Sequence, residues 1–270
     1  MNPKIGDRDW QGLRVWLVGA SAGIGEALAR ALAERGARLA LSARSRPALQ
    51  ALAASLGQPA LILPCDVTEP AQVEAAWRKL GSQWGGVDLV IYLAGVYTPL
   101  NASAPAETVL PVARQTFAVN FLGALEVGSR VAPSLAAESR QATAPSPPRG
   151  IVLVGSVAGS RGLPKALAYS ASKAALIAYA ESLYHDLAPR GVGVWLVSPG
   201  FVKTRLTAQN EFRMPALIGV DEAVREIIDG LASGGFDIHF PKRFSRFMKL
   251  LGMLPARLYF ALMRRTAPAE

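Results

Sequence analysis

Short, continuous apolar runs alternate along this chain with longer segments in which apolar residues recur every three or four positions. LRVWLVG (13–19), ARLALSAR (37–44), PALILPCD (59–66) and VDLVIYLAG (87–95) read as the strands of the first half. IVLVGS (151–156), VGVWLVSPG (192–200) and FDIHFP (236–241) read as those of the second. Runs of Val, Leu and Ile without polar alternation suit strands buried on both faces, hence a parallel sheet. Helical periodicity spans 24–35, 47–56, 69–80, 107–138, 168–189 and 221–232. Gly36 and Gly81 stand just past the first and third of these, where glycine stops a helix. The order predicts an α/β fold of the Rossmann type: a doubly wound, parallel, seven-stranded sheet in three layers, α/β/α.

Residues 139–150, SRQATAPSPPRG, form a polar, proline-rich loop. It is open to reading as a domain boundary, but a strand follows at once, which favours one domain. We therefore expect a single dinucleotide-binding domain over 1–240, holding the catalytic site and a substrate lid. A basic amphipathic tail is expected over 241–270.

Of the 270 residues, 51% are apolar and 18% charged, which excludes a wholly disordered chain. One cysteine, Cys65, excludes an intrachain disulfide and a cysteine metal cluster, and points to a reducing, cytoplasmic setting. His185 and His239 are too isolated in sequence to imply a zinc site, so no metal is expected. The net charge of +9 concentrates between 241 and 265, where seven basic residues occur without an acid: Lys242, Arg243, Arg246, Lys249, Arg257, Arg264 and Arg265. The rest is nearly neutral, which speaks against nucleic acid as a partner. Neither a signal peptide nor a spanning helix is expected, because no apolar run is long enough.

The first strand runs into GASAGIG (19–25), with Gly19, Gly23 and Gly25 spaced G-x-x-x-G-x-G. Glycine lets the backbone leave the strand sharply and lets a ligand approach the main chain. The helix that follows aims its first N–H groups at a phosphate pair. A glycine pattern alone is weak; its place between a first strand and a helix supports it. The second strand ends in Ser42, Ala43 and Arg44, without the acid that an NAD site uses for the ribose hydroxyls. Arg44 is available for a 2′-phosphate, so NADP(H) is favoured over NAD(H); the bland alternative is a solvated charge. Asp66, after the third strand, either accepts from an adenine amino group or caps the following helix. Ala94 and Gly95 close the fourth strand with little side chain, leaving room for a cofactor over the sheet edge.

Tyr169 and Lys173 are four apart in a helical segment, hence on one face. A neighbouring ammonium favours the phenolate and would lower the tyrosine pKa. Ser156 ends the preceding strand, and the three can converge over the carboxyl ends of the strands.

With these residues the chain resembles the short-chain dehydrogenase/reductase family over roughly 12–240, in its compact single-domain form. GASAGIG is similar to the family's cofactor turn. Asn120 in VNFLG, Ser156 in GSVAG, and Tyr169 and Lys173 in YSASK match its catalytic tetrad. SPGFVKT (198–204) resembles its Pro-Gly segment, whose threonine, here Thr204, contacts the nicotinamide amide. Two departures stand out: Val18 replaces the threonine before the first glycine, and Tyr92-Leu93-Ala94-Gly95 replaces Asn-Asn-Ala-Gly. Both remove polar side chains that support the sheet and the turn.

The resemblance implies that Ser156 hydrogen-bonds the substrate oxygen and that Tyr169 donates or removes the proton. Lys173 binds the nicotinamide ribose and lowers the tyrosine pKa. Asn120 holds a water that links the lysine to solvent. Cofactor contacts are expected from Gly19, Ser21, Gly23, Ile24, Gly25, Arg44, Asp66, Val67, Ala94 and Gly95. Further along, Tyr169, Lys173, Pro199, Gly200, Val202 and Thr204 complete the set. A homodimer or homotetramer is also implied, pairing through the long helices that include 107–138 and 168–189.

The motifs do not name the substrate; a small apolar carbonyl or alcohol is expected. Leu206, Phe212, Met214, Leu217 and Ile218, after Gly200, either line a lid over it or pack that segment on the body. In the tail, Phe244, Phe247, Met248 and Leu251 share a helical face, and Leu258, Tyr259, Leu262 and Met263 form a second patch. Residues 241–265 either lie on a membrane surface as a peripheral contact or pack as an arm on a subunit. Two rival functions remain: a dinucleotide sensor that has lost turnover, and a membrane-surface scaffold. The complete set Asn120, Ser156, Tyr169 and Lys173 favours the enzyme over the sensor.

Overall fold

A computed structural model describes residues 1–141, 147–210 and 212–264. Parts of the proline-rich loop (142–146), Glu211 and the tail end with Arg265 lie outside the described residues.

The first half alternates β1 (Arg14–Val18), α1 (Gly23–Glu34), β2 (Arg38–Ser42), α2 (Arg46–Ala54), β3 (Ala60–Ile62), α3 (Pro70–Trp84) and β4 (Leu89–Tyr92). The second contains α4 (Ala106–Phe117), α5 (Gly123–Gln141), β5 (Gly150–Val154), α6 (Leu167–Leu187), β6 (Gly193–Pro199), α7 (Val220–Ser233) and β7 (Asp237–Phe240). Two more helices, α8 (Lys242–Met253) and α9 (Ala256–Arg264), follow. All neighbouring strands pair in parallel, in the order β3-β2-β1-β4-β5-β6-β7. The order reverses between β1 and β4, the switch point at which such sheets bind ligands.

Two apolar layers sandwich the sheet. On one face Leu28 and Leu32 of α1, Leu49 of α2 and Ile227 of α7 pack on Val15, Leu17, Leu39 and Val197. On the other, Val73 and Leu80 of α3, Val127 and Val131 of α5, and Leu176 of α6 pack on Trp16, Val90, Leu153 and Leu196. Strand residues therefore feed both layers, which is why their sequence shows no polar alternation.

Several boundaries shift, the third strand shrinking from 59–66 to Ala60–Ile62, and two of the shifts have a clear physical reason. The third helix passes through Gly81 and ends at Gly85, whose φ of 70° is left-handed and whose N–H bonds the Gly81 carbonyl at 2.8 Å. The glycine free to take that backbone conformation, not the first one met, ends the helix. The segment expected as one helix over 107–138 is α4, a π-turn over Ala118–Leu122, and α5. A π-turn admits one extra residue without breaking the helix, so apolar periodicity does not reveal it.

Candidate active site

The glycine turn after β1 is tied by main-chain bonds. The N–H groups of Gly19 and Ala20 donate to the Ser42 carbonyl at 2.7 and 3.1 Å, and those of Leu93 and Ala94 to the Val18 carbonyl at 2.7 and 3.0 Å. Buried Val18, which carries no polar side chain, thus joins the strand ends through its backbone. Gly19 has φ +99°, and a Cβ there would lie 2.5 Å from the Ala94 nitrogen. A Cβ on Gly25 would lie 2.1 Å from the Gly19 carbonyl oxygen. These two contacts demand glycine, and they bring the start of α1 hard against the strand, leaving a cradle of backbone at a helix N-terminus.

That cradle is one wall of a cavity of about 650 Å³ along the carboxyl edge of the sheet. Gly19, Ser21, Gly23, Ile24, Gly25, Arg44, Asp66, Val67, Ala94 and Gly95 line its first part. Ser156, Tyr169, Lys173, Pro199, Gly200, Val202 and Thr204 line the rest. Arg44 is exposed at the rim. Asp66 does not cap α3, whose N-cap is Glu69; its Oδ1 accepts from the Thr68 N–H (3.0 Å) and hydroxyl (2.8 Å), holding a tight turn at the wall. Among the expected lid residues Leu206 lines the cavity. Ile218 joins the core, and Phe212 and Leu217 are exposed.

β5 delivers Ser156 two residues beyond its end, where its Oγ accepts from the Ala158 N–H at 3.1 Å. The turn Val157–Gly159 lies so close to α6 that a Cβ on Gly159 would meet the Lys173 carbonyl carbon at 2.9 Å. This contact sets Ser156 beside Tyr169, where its hydroxyl favours the phenolate. Lys173 Nζ donates to the Val154 carbonyl at 2.8 Å and lies 5.9 Å from the Tyr169 ring centre. Burial pulls the Lys173 pKa down to about 8. Burial pushes that of Tyr169 up, partly countered by the Ser156 hydroxyl. In the protein alone the Tyr169 pKa therefore lies above its ordinary value, because desolvation of the phenolate dominates.

Asn120 stands apart. It is fully buried on the π-turn and is not part of the cavity wall. Its Oδ1 accepts from the Val96 N–H (2.8 Å), and its Nδ2 donates to the Val96 carbonyl and the Ser172 hydroxyl (3.0 Å each). A Cβ on Gly95 would lie 3.5 Å from Oδ1 and 3.7 Å from Lys173 Nζ, so the two side chains approach one point behind the wall.

Two contributors were missed in the sequence. The Tyr97 ring meets the Tyr169 ring edge-on, centres 5.1 Å apart, and lines the cavity. An aromatic just after a Gly-closed strand was its only sequence signal. The Tyr92 hydroxyl donates to the Val119 carbonyl at 2.5 Å, reaching it past Gly123, where a Cβ would lie 2.5 Å from that hydroxyl. By the resemblance, Tyr92 marks the loss of a supporting polar group. The structure corrects this: it carries its own polar atom to the π-turn, one residue before Asn120.

The short chain dehydrogenase family model matches residues 14–214. An uncharacterized oxidoreductase of Myxococcus xanthus is 38% identical over 253 residues, covering 92% of this chain and 95% of the relative. The 3-oxoacyl-[acyl-carrier-protein] reductase FabG of Escherichia coli is 30% identical over 201 residues, 74% of this chain and 77% of the relative. Among solved structures, a short-chain dehydrogenase from Sphingobium yanoikuyae in complex with NADPH superposes with TM-score 0.75 at 27% identity, over 96% of this chain and 98% of that one. One from Burkholderia cenocepacia in complex with NADP does so with TM-score 0.78 at 26% identity, over 96% and 99%.

Proposed function

The chain belongs to the short-chain dehydrogenase/reductase family of oxidoreductases, which act on CH–OH and carbonyl groups, and from that premise we propose an NADP(H)-dependent enzyme that interconverts a ketone or aldehyde and an alcohol on an apolar, lipid-like substrate. The observation that carries the reading is the convergence of Ser156, Tyr169 and Lys173 in the cavity that begins at the glycine cradle. The Gly19–Gly25 cradle fits a pyrophosphate, and Arg44 at the rim fits a 2′-phosphate. NADPH and NADP in the two structural relatives support the same choice. When bound, the dinucleotide supplies or takes up the hydride.

The protein's residues manage the oxygen and the proton. In reduction, Ser156 donates a hydrogen bond to the carbonyl oxygen, and Tyr169 gives that oxygen a proton as the carbon gains the hydride; oxidation reverses both steps. The raised pKa of Tyr169 keeps it protonated for the first direction. Lys173 holds the ribose and, charged, steadies the phenolate that Tyr169 becomes. The second lone pair of Asn120 Oδ1 takes a water joining Lys173 to solvent.

Ala171, Ala174 and Ala178 are exposed small residues along one row of α6, and Leu110 of α4 and Leu122 of the π-turn are exposed large apolar residues. They support a homodimer or homotetramer built on these helices, for which sedimentation equilibrium should give a multiple of the chain mass. A cytoplasmic setting agrees with the lone, buried Cys65 thiol.

The test is twofold. A panel of hydrophobic ketones should consume NADPH, and NADPH should bind more tightly than NADH. Arg44→Ala should narrow that gap by about one to two decades of affinity, the worth of a charge-assisted phosphate bond. A wild type that prefers NADH overturns the cofactor assignment. No NADPH consumption despite tight binding would favour the sensor.

A further inference from the structure

The two C-terminal helices present opposite faces. Inward, Phe244, Met248, Leu251, Leu254, Tyr259 and Met263 pack on Val157 and Leu163. The two sequence-predicted patches are therefore split. Phe247 sits at the edge of the first stripe and turns out, as do Leu258 and Leu262 of the second. Outward, Phe247, Leu250, Met253, Leu258, Phe260 and Leu262 are 45% to 72% exposed. The inward face already closes the core, so these six add nothing to it.

Arg243, Arg246, Arg257 and Arg264 are exposed on the same two helices, and no Asp or Glu occurs between 242 and 264. Lys242 and Lys249 instead reach Glu226 and Asp237 of the body. We propose that this outward face is a docking surface for an anionic lipid bilayer, on which α8 and α9 lie flat. Exposed phenylalanine, leucine and methionine would enter the acyl boundary while the arginines meet anionic headgroups. At about 18 Å, a 12-residue helix is too short to cross a hydrocarbon core of about 30 Å.

A second observation ties this surface to the cavity. The Phe244 ring packs on Gly200, where a Cβ would lie 2.9 Å from it, and Phe201 lies 5.7 Å from both Phe244 and exposed Phe212, ring centre to ring centre. Arg161 donates to the carbonyls of Gly252 and Leu254 and lies over the Tyr259 ring at 4.6 Å. The Tyr259 hydroxyl donates to the Gly162 carbonyl. The helices thus clamp both segments that flank the substrate end: the one after Ser156 and the one after Gly200. Docking would hold that end near lipid, where an apolar substrate is concentrated; this last clause rests on the proposed substrate class.

Co-sedimentation of the full chain tests the proposal, using phosphatidylcholine vesicles with and without phosphatidylserine. Wild type should pellet with the anionic vesicles at low salt. Each arginine removed among Arg243, Arg246 and Arg257 should weaken binding about fivefold. The charge-neutral change Phe247→Ser/Leu250→Ser/Leu258→Ser should abolish pelleting while melting temperature and ketone reduction in solution stay as in wild type. That variant keeps the full basic charge, so it separates docking from general attraction of a cationic protein. Wild type left in the supernatant, or the triple variant pelleting like wild type, overturns the proposal. So does a triple variant that instead loses an oligomeric mass, which would make this face an interface between copies. Turnover does not enter the vesicle readout, so failure here leaves the oxidoreductase reading separately testable.

Discussion

At the amino end of β1, β4 and β5, Asp88 accepts from the Arg14 N–H (3.0 Å), Nε (2.9 Å) and Nη2 (2.7 Å). Arg149 stands 3.6 Å from the same carboxylate, and Glu138 pairs with both arginines at 3.3 and 3.5 Å. Asp88 is held below the usual carboxylate range by Arg14 despite its burial, and Arg14 is raised. At the carboxyl end of β5, Lys173 is as deeply buried but among the described residues its ammonium donates only to the neutral Val154 carbonyl, and its pKa falls to about 8. One sheet therefore buries charge twice, matched at one end and unmatched at the other. A matched pair locks strands and helices together. An unmatched ammonium beside a tyrosine is what the proposed mechanism uses to stabilise a phenolate.

The comparison breaks most visibly if the unmatched end is not the chemical one. Tyr169→Phe keeps the ring and its contact with Tyr97, yet should lower kcat by about 10²–10⁴-fold, the usual contribution of a general acid. Dinucleotide binding, followed by fluorescence, should survive. Rates close to wild type would remove Tyr169 from the mechanism.

Asp88→Asn probes the other end. It leaves Arg14 and Arg149 without their central partner and should cost about 3 kcal/mol of stability in denaturant unfolding. Since Asp88 has a depressed pKa in the folded chain, its contribution is present above the unfolded value and is lost as pH falls through the folded one. The wild-type advantage over Asp88→Asn should therefore shrink in acid, with kcat/KM at neutral pH little changed.

For Lys173 the sign works the other way at neutral pH. Its folded pKa of about 8 lies below the ordinary 10.5, so the unfolded chain holds the proton more tightly between these values. The stability of wild type relative to Lys173→Met should rise across that window, by at most about 3 kcal/mol. Thermal melts of both proteins from neutral to alkaline pH measure it. A flat difference would mean that this ammonium is not desolvated.

The smallest expected effect belongs to Tyr92→Phe. Losing the bond to the Val119 carbonyl should destabilise the fold by about 0.5–1.5 kcal/mol. If the π-turn positions Asn120 for turnover, kcat should fall a few-fold while dinucleotide affinity holds. Equal kcat in both proteins would confine Tyr92 to a structural role.

Much of this molecule was legible in the chain because the relevant physics is local. Val, Leu and Ile runs between amphipathic helices specify a two-sided parallel sheet, since no other arrangement buries both faces of each strand. The turn after β1 was legible because its glycine spacing falls between a strand and a helix; the structure adds that Gly19 and Gly25 stand where a Cβ would collide with backbone. Tyr169 and Lys173 were legible because helical spacing alone puts them on one face. Other features depended on partners distant in sequence. The π-turn at Asn120 leaves no mark on apolar spacing, and it is met by a hydroxyl from residue 92. The side on which Phe247 or Leu258 falls was settled by what lay opposite, Val157 and Leu163, and not by periodicity within the tail. The same holds for the pKa of Lys173: four-residue spacing put an ammonium near a phenol, but only the assembled fold decided how much water either would keep. Sequence determined which residues could share a face, because that follows from backbone geometry; tertiary structure decided burial and pairing, because both depend on what the rest of the chain brings to that face.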